Sequence, residues 1–151
     1  MFKTDSHRAK FTVHAIPHHE LAPGQLLLTT IRSHDQFNTT IYAENDRYRG
    51  VAGGRRVILL NEADMSTLGF ARDAWVDITS HFEGETRRAE RFRVLPYDIP
   101  RGCAAAYFPE TNVLVPVRSV ADKSNQPASK SVVISLAPSD TVEHAGIAAV
   151  G

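Results

Sequence analysis

The chain is 151 residues long, with 42% hydrophobic and 23% charged residues, which is ordinary for one globular domain. Seventeen basic residues balance seventeen acidic ones, and this neutrality argues against nucleic-acid and membrane-surface binding, which usually need a positive excess. No apolar stretch approaches the roughly 20 residues needed to cross a bilayer. The single cysteine excludes an internal disulfide framework, and we expect a cytoplasmic protein.

The first part of the chain predicts strands followed by a long polar loop. Residues 10–16 alternate apolar and polar side chains, as a strand does, and the dense apolar run 26–31 predicts a strand buried on both faces. Loops as long as the polar stretch 32–56 are usually functional or disordered. Apolar side chains that supply surface to bury argue against disorder here, namely Phe37, Ile41, Tyr42 and Tyr48.

A short helix is predicted over 61–68, directly after a strand at 57–60. Asn61 is a typical N-cap residue, acidic side chains follow it in the first turn, and Gly69 supplies a left-handed stop. Met65 and Leu68 are three residues apart, so they share one face of this helix.

The second half of the chain predicts mostly short strands. The alternating segment 75–82 and its return over 86–95, after the turn at Glu83–Glu85, predict a hairpin. Further strands are predicted at 103–108, 113–117 and 131–136. Regular Gly and Pro punctuation predicts a mainly β fold, a closed barrel of about six or seven strands with one or two short helices. We expect one domain over 1–151, with a core over about 10–137 and a frayed tail over 138–151.

The polar residues after the strand 26–31 form a first candidate site. Arg32 lies where the strand enters the loop, and hydrogen-bonding side chains dominate the residues that follow. An arginine offers a planar fork to phosphate oxygens, while Asn, Gln and Ser side chains read amide-like ring edges. The same pattern suits a solvated loop whose Asx and Ser side chains hold its own turns.

Metal and nucleophilic chemistry find less support in the sequence. Of seven histidines only His18 and His19 are close, and neighbouring positions on a strand do not face one metal site. There is no Gly-x-Ser-x-Gly motif, and Gly50, Gly53 and Gly54 match neither the Rossmann nor the P-loop pattern. The sequence therefore predicts no metal ligand and no catalytic residue.

A second candidate segment, 100–116, joins a run of small residues to a polar turn. The small residues Cys103–Ala106 let another backbone or a flat ligand approach closely. The turn Pro109–Asn112 ends in an amide that both donates and accepts hydrogen bonds. By itself this segment is better explained as a hairpin connection with a capping asparagine.

Taken in order, these segments resemble the carboxy-terminal dinucleotide-binding domain of molybdopterin oxidoreductases, specifically the formate-dehydrogenase-like branch. The resemblance covers about residues 10–136, nearly the whole chain. The segments that carry it are Thr30–Thr39, Tyr48–Gly50, Ile99–Gly102, Tyr107–Asn112 and Ser129–Ser131.

The resemblance implies a double-psi β-barrel, of the aspartate-decarboxylase-like type, that binds bis(molybdopterin guanine dinucleotide) with molybdenum or tungsten. It also implies that this cofactor is shared with the remaining catalytic domains of a parent chain, over which the barrel closes. Carried over residue by residue, it implies cofactor contacts from Arg32, Ser33, His34, Gln36, Asn38, Thr39, Asn112 and Lys130.

The same resemblance implies that the chain is a fragment of a larger enzyme. The family's protein ligand to the metal, commonly Cys, selenocysteine or Ser, is carried by another domain, so we expect no turnover by this chain alone. A self-processing decarboxylase on a similar barrel would need a Gly-Ser cleavage point, and the sequence has no Gly-Ser dipeptide. A cofactor-free barrel that recruits substrate or a partner remains open, because fold does not fix function.

Overall fold

The computed structural model describes residues 2–16, 18–38 and 40–140. This part of the chain is mainly β with one short α-helix, as the sequence predicts. The elements are β1 (Gln25–Ile31), β2 (Val57–Leu60), α1 (Glu62–Leu68), β3 (Trp75–Phe82), β4 (Glu85–Pro96), β5 (Cys103–Tyr107), a 3-10 turn (Asn112–Leu114) and β6 (Val132–Pro138).

The six strands are hydrogen-bonded into a closed ring in the order β1–β5–β2–β4–β3–β6. β1 pairs in parallel with β5 and antiparallel with β6, so the first and last strands close the ring. β2 also lies between one parallel neighbour, β4, and one antiparallel neighbour, β5. Each of the described strands therefore has a hydrogen-bonded neighbour on both sides, although residues 85–92 of β4 extend beyond its pairing with β2.

The interior of the ring forms the hydrophobic core. Along β1, Leu26 and Leu28 are buried while their odd-numbered neighbours are half-buried, so the prediction of a strand buried on both faces is wrong for β1. Burial on both faces is instead found in β2, whose four residues are all buried. The outer face of β2 is covered because Val51, from the loop after β1, packs with Leu59 and Tyr107.

Helix α1 begins and ends as its capping residues predict. The Asn61 Oδ1 accepts a hydrogen bond from the Ala63 N–H at 2.9 Å. Gly69 adopts a φ of 76°, and its N–H donates to the Met65 and Ser66 carbonyls of the last turn. The buried Asp64 carboxylate accepts from the Gly102 N–H at 2.6 Å, which ties the helix to the start of β5.

Two of the predicted strands are not present, and both predictions are wrong. Residues 10–16 pair with no strand, and Phe11, Val13 and Ile16 are 96%, 95% and 91% exposed, so this segment adds nothing to the core. Alternating apolar and polar side chains determine which face of a strand would be buried. They do not provide a neighbouring strand for it to pair with. The segment 113–117 instead begins inside a 3-10 turn, Asn112–Leu114, which is closed by local hydrogen bonds. In the predicted tail, β6 extends to Pro138, and residues 141–151 lie outside the described residues.

Candidate functional site

The carboxyl ends of β1 and β5 lie side by side because these two strands are parallel neighbours. The Phe108 N–H donates to the Ile31 carbonyl at 2.8 Å as both strands end. The loop 32–56 after β1 and the loop 108–131 after β5 therefore leave the ring at one edge. β6 is antiparallel to β1 and begins at this same edge. We name this edge, with its two loops, the loop face.

The predicted cofactor residues belong to the segments that meet at the loop face, except Thr39, which lies outside the described residues. The Lys130 ammonium donates to the Thr30 carbonyl, and the Thr29 hydroxyl donates to the Lys130 carbonyl at 2.6 Å, so Lys130 lies against the end of β1. The exposed members of the set are Arg32, His34, Asn38, Asn112 and Lys130, whereas Ser33 is buried and Gln36 is half-buried.

A buried guanidinium, that of Arg55, organises the loop face and is only 4% exposed. Its Nε donates to Glu110 Oε1 at 2.7 Å, and its Nη1 donates to Ser33 Oγ at 2.7 Å. Its Nη2 donates to Gln36 Oε1 at 2.9 Å and to the Phe108 carbonyl at 3.0 Å. A buried cation is tolerated only when paired and hydrogen-bonded in this way. Arg55 therefore joins the start of β2 to both loops.

These bonds engage the polar atoms of Ser33 and Gln36 in shaping the loop. The Gln36 Nε2 also donates to the Phe108 carbonyl at 2.8 Å and to the Asn38 carbonyl at 2.9 Å. Both ends of the Gln36 amide are thus occupied within the protein. Ser33 and Gln36 therefore help to hold the loop in which the exposed Arg32 lies.

A second buried polar centre, Asp46, holds the later part of the loop 32–56. Its carboxylate accepts from the Tyr107 hydroxyl at 2.9 Å and from Arg49 Nη1 at 2.6 Å. Burial alone would raise the pKa of Asp46, but the hydrogen bonds from Arg49 and Tyr107 outweigh it and hold that pKa below its usual value. Burial and the Asp46 acceptor raise the pKa of Tyr107, so its hydroxyl stays a donor. Arg49 Nη1 also donates to the Arg32 carbonyl at 3.2 Å.

Aromatic and apolar side chains lie exposed around these two centres. The His34 ring stacks against Tyr48 with the ring centroids 3.6 Å apart. Phe37, Ile41 and Tyr48, predicted to order the loop by becoming buried, are 66%, 64% and 62% exposed. That prediction is wrong for these three side chains, and the buried charges of Arg55 and Asp46, together with the buried Val51, hold the loop instead.

The sequence interpretation missed Arg55 and Asp46 as the organising groups. A signal was present for one of them, since Arg55 and Arg56 directly precede the wholly buried β2. A charged residue that close to a buried strand needs a carboxylate partner, and Glu110 lies in the second candidate segment. No comparable sequence signal marks Asp46, whose burial depends on Tyr107.

The loop face offers binding groups rather than reactive ones. Its exposed guanidinium, imidazole, amide and ammonium groups are of the kinds that can donate hydrogen bonds to anions and to ring edges. Over the described ranges, no three His, Cys, Asp or Glu side chains lie close enough to hold a metal ion. No helix within those ranges is both long and apolar enough to span a bilayer.

The chain is thus a mainly β domain with a closed ring of strands and with polar loops at the ends of two parallel strands. Residues 26–133 match the family described as "Molydopterin dinucleotide binding domain". The chain belongs to this family of molybdopterin dinucleotide-binding domains. This membership supports a role in binding a molybdopterin-type cofactor.

The relatives by sequence are much longer proteins, and some of them are described as oxidoreductases. The chain is 46% identical, over 142 residues and 91% of its length, to an uncharacterized oxidoreductase of Mycobacterium tuberculosis. It is 34% identical, over 120 residues and 78% of its length, to protein YdeP of Escherichia coli. The matched regions span 18% and 16% of these two relatives.

Among solved structures, acetylene hydratase from Pelobacter acetylenicus has a similar fold, with a TM-score of 0.55 and 11% identity. The match covers 75% of this chain and 18% of that protein. At this identity the likeness is one of fold.

Proposed function

We propose that the loop face binds bis(molybdopterin guanine dinucleotide), carrying molybdenum or tungsten, and that the chain is the carboxy-terminal domain of a formate-dehydrogenase-like oxidoreductase. The observation that carries this proposal is the meeting of two donor-rich loops at the ends of parallel β1 and β5. Family membership and the much longer oxidoreductase relatives support it.

The exposed donors of the loop face fit the chemistry of a pterin dinucleotide. Arg32 and Lys130 offer cationic donors for pyrophosphate oxygens at the ends of β1 and β6. Asn38 and Asn112 carry amides that complement the amide-like edge of a pterin. When bound, the cofactor supplies the metal and the electron transfer. The residues of this chain bind and orient it and help to exclude water.

The fold and the surroundings of the site are part of the same proposal. A double-psi β-barrel is supported by the mixture of parallel and antiparallel neighbours around β1 and β2. The remaining catalytic domains of the parent chain would cover the loop face, which exposes Phe37, Ile41 and Val113. Exposed apolar groups gathered on one surface are typical of a protein interface. The single cysteine supports a cytoplasmic location.

Replacement of Arg32 in the full-length parent enzyme tests the proposal. A guanidinium that faces phosphate or pterin makes charge-assisted hydrogen bonds worth about 1.5–3 kcal/mol each. We expect Arg32→Ala to weaken cofactor retention by roughly tenfold to a hundredfold. Folding should stay nearly intact because Arg32 is exposed. The measurement is the metal and pterin content of the purified variant beside its thermal midpoint.

Arg72→Ala is the matched control, since Arg72 is an exposed arginine on the connection between α1 and β3. It should change neither cofactor content nor the thermal midpoint. Full cofactor occupancy in Arg32→Ala, with a large fall in stability, would make Arg32 structural. The polar side chains of the loop would then stabilise only the turns of the loop itself. A cofactor-free domain that recruits substrate or a partner would then be the better proposal for the function.

A further inference from the structure

Beside the loop face lies a pocket of about 620 Å³ that the proposed cofactor function does not use. Its lining includes the side chains of Arg56, Arg91 and Arg93 and of Trp75, together with the Gly53–Gly54 turn. We name it the arginine pocket after its three arginines. Arg55 also borders it, but the Arg55 guanidinium is neutralised by Glu110 at 2.7 Å.

Arg93 forms a wall of the arginine pocket. Its Nη2 donates to the Ala52 carbonyl, and its Nη1 lies 3.5 Å from the Asp73 carboxylate. Gly53 has a φ of 78°, and a Cβ built there would lie 3.9 Å from the Arg93 guanidinium. The charge of Arg93 is therefore compensated, and the side chain holds the glycine turn close to the pocket.

Arg91 is presented to the pocket by a β-bulge. The register between β3 and β4 shifts between Val76 and Ile78, and Arg91 adopts a φ of 59°. The buried Asp77 carboxylate stabilises this backbone by accepting from the Arg91 N–H at 2.9 Å. A bulge re-aims a side chain, and left-handed backbone at a residue other than glycine costs energy. The guanidinium is aimed so that it lies 5.5 Å from the Trp75 ring centroid.

Arg56 supplies the second available cation of the pocket. Its Nε donates to the Glu90 backbone carbonyl at 3.2 Å, and its guanidinium lies 5.0 Å from the Phe92 ring centroid. The Glu90 carboxylate is drawn towards Arg88, at 3.6 Å. Within the described residues, neither the terminal nitrogens of Arg56 nor the guanidinium of Arg91 has a hydrogen-bond acceptor.

We propose that the arginine pocket binds a phosphate or pyrophosphate group, with Arg56 and Arg91 donating to its oxygens. A guanidinium matches two phosphate oxygens at once, so two of them converging on one pocket form a strong anion site. The Trp75 indole, with the Arg91 guanidinium over its ring, also lines the pocket, and its exposed part can contact a base attached to the phosphate. Glu44 and Glu90 also line the pocket, and their carboxylates oppose the anion, that of Glu90 less because Arg88 lies 3.6 Å from it. Arg56 and Glu44 belong to the loop 32–56, but the site uses none of the residues proposed to contact the cofactor, so the two proposals can fail separately.

The fluorescence of Trp75 provides a direct test, because Trp75 is the only tryptophan in the chain. The chain is titrated separately with inorganic phosphate, inorganic pyrophosphate and GMP, with calorimetry as a second readout. We expect a saturable response to pyrophosphate with a Kd below about 1 mM. Tighter binding of GMP than of phosphate would identify a nucleotide as the natural source of the group, and equal binding would identify a free phosphate.

Variants of the pocket sharpen this test. Arg91→Asn and Arg56→Gln should each weaken pyrophosphate binding by about tenfold, and asparagine tolerates the left-handed backbone of the bulge. Glu44→Gln should tighten binding, because it removes an opposing carboxylate. Arg118→Ala is the charge-matched control, since Arg118 pairs with Glu85 at the opposite end of β4 from Arg93.

Two results would overturn the inference. One is the absence of a saturable response to pyrophosphate at about 1 mM, the range in which a weak specific site is detected. The other is an equal loss of binding in Arg118→Ala and in Arg91→Asn, which would indicate non-specific attraction to positive charge. Circular dichroism of each variant separates loss of the site from loss of the fold.

Discussion

All three guanidinium nitrogens of Arg55 donate hydrogen bonds, and this makes it the most consequential single residue of the loop face. Its guanidinium also lies 4.2 Å from the Tyr42 ring and 4.8 Å from the Tyr107 ring. A buried pair adds little stability when compared with apolar groups of equal size, but removal of one partner leaves an uncompensated charge. The ion pair between Arg55 and Glu110 therefore specifies one arrangement of the two loops and adds little net stability.

We expect Arg55→Ala and Glu110→Ala each to lower the free energy of unfolding by about 3–5 kcal/mol. The double variant should lose less than the sum of the two, because neither orphaned charge remains. Urea denaturation measures all three. Arg118→Ala removes an exposed ion pair and should change stability by about 0.5 kcal/mol at most. An Arg55→Ala variant as stable as Arg118→Ala would show that the loop face is held by other contacts.

Asp46 makes the stability of the loop face depend on pH. Although burial raises its pKa, the bonds from Arg49 and Tyr107 place that pKa below the unfolded value of 3.8. The native state then binds fewer protons than the unfolded state, so stability rises with pH. The contribution of Asp46 is fully present above the unfolded pKa and is lost as pH falls through the folded one. Asp77, whose pKa is also lowered, acts in the same direction.

Acid should therefore destabilise the protein below about pH 4, and Asp46→Asn should flatten this dependence while lowering stability near neutral pH. The measurement is the free energy of unfolding from urea titrations at a series of pH values. The same slope in the wild type and in Asp46→Asn would contradict the assignment of Asp46.

At the scale of elements, α1 depends on its caps because it has only seven residues. Asn61 serves it twice, since its Oδ1 accepts from the Ala63 N–H and its Nδ2 donates to the Ile99 carbonyl at 2.7 Å. The second bond links the helix to the connection between β4 and β5. A single side chain thus sets both the start of α1 and the entry to β5.

Asn61→Ala should lower the free energy of unfolding by about 0.5–2 kcal/mol for the cap, with a further loss from the bond to Ile99. Asn61→Asp keeps the capping oxygen and removes the donor, so its stability should lie between those of the wild type and the alanine variant. Thermal unfolding compares the three proteins. Equal losses in both variants would assign the stabilisation to the Ile99 bond instead of the cap.

Elements with local signals could be predicted from the sequence, and those that need a distant partner could not. The cap at Asn61 and the stop at Gly69 defined α1, and the turn at Glu83–Gly84 defined the hairpin of β3 and β4. The alternation of residues 10–16 specified a face but no neighbouring strand. The segment after Asn112 turns because nearby carbonyls satisfy its N–H groups.

For the whole molecule, the mainly β class could be predicted but not the order of strands in the ring. The pairing of β1 with β5 and β6 joins residues far apart in sequence, such as Leu27 with Cys103. The meeting of the two candidate segments follows from this pairing, and only the resemblance to a family anticipated it. The buried charges of Arg55 and Asp46 lay beyond prediction because their partners come from other segments.

The closure of the ring by β6 has a consequence for biosynthesis. β1 is made first among the strands, yet one of its edges stays open until β6 leaves the ribosome. β3 also pairs with β6, so one edge of β3 stays open until the same point of synthesis. Nascent chains that carry open apolar strands are prone to associate with one another, and non-local pairing is slow. Synthesis of this protein therefore passes through a stage at which a chaperone would find two unpaired strand edges to protect.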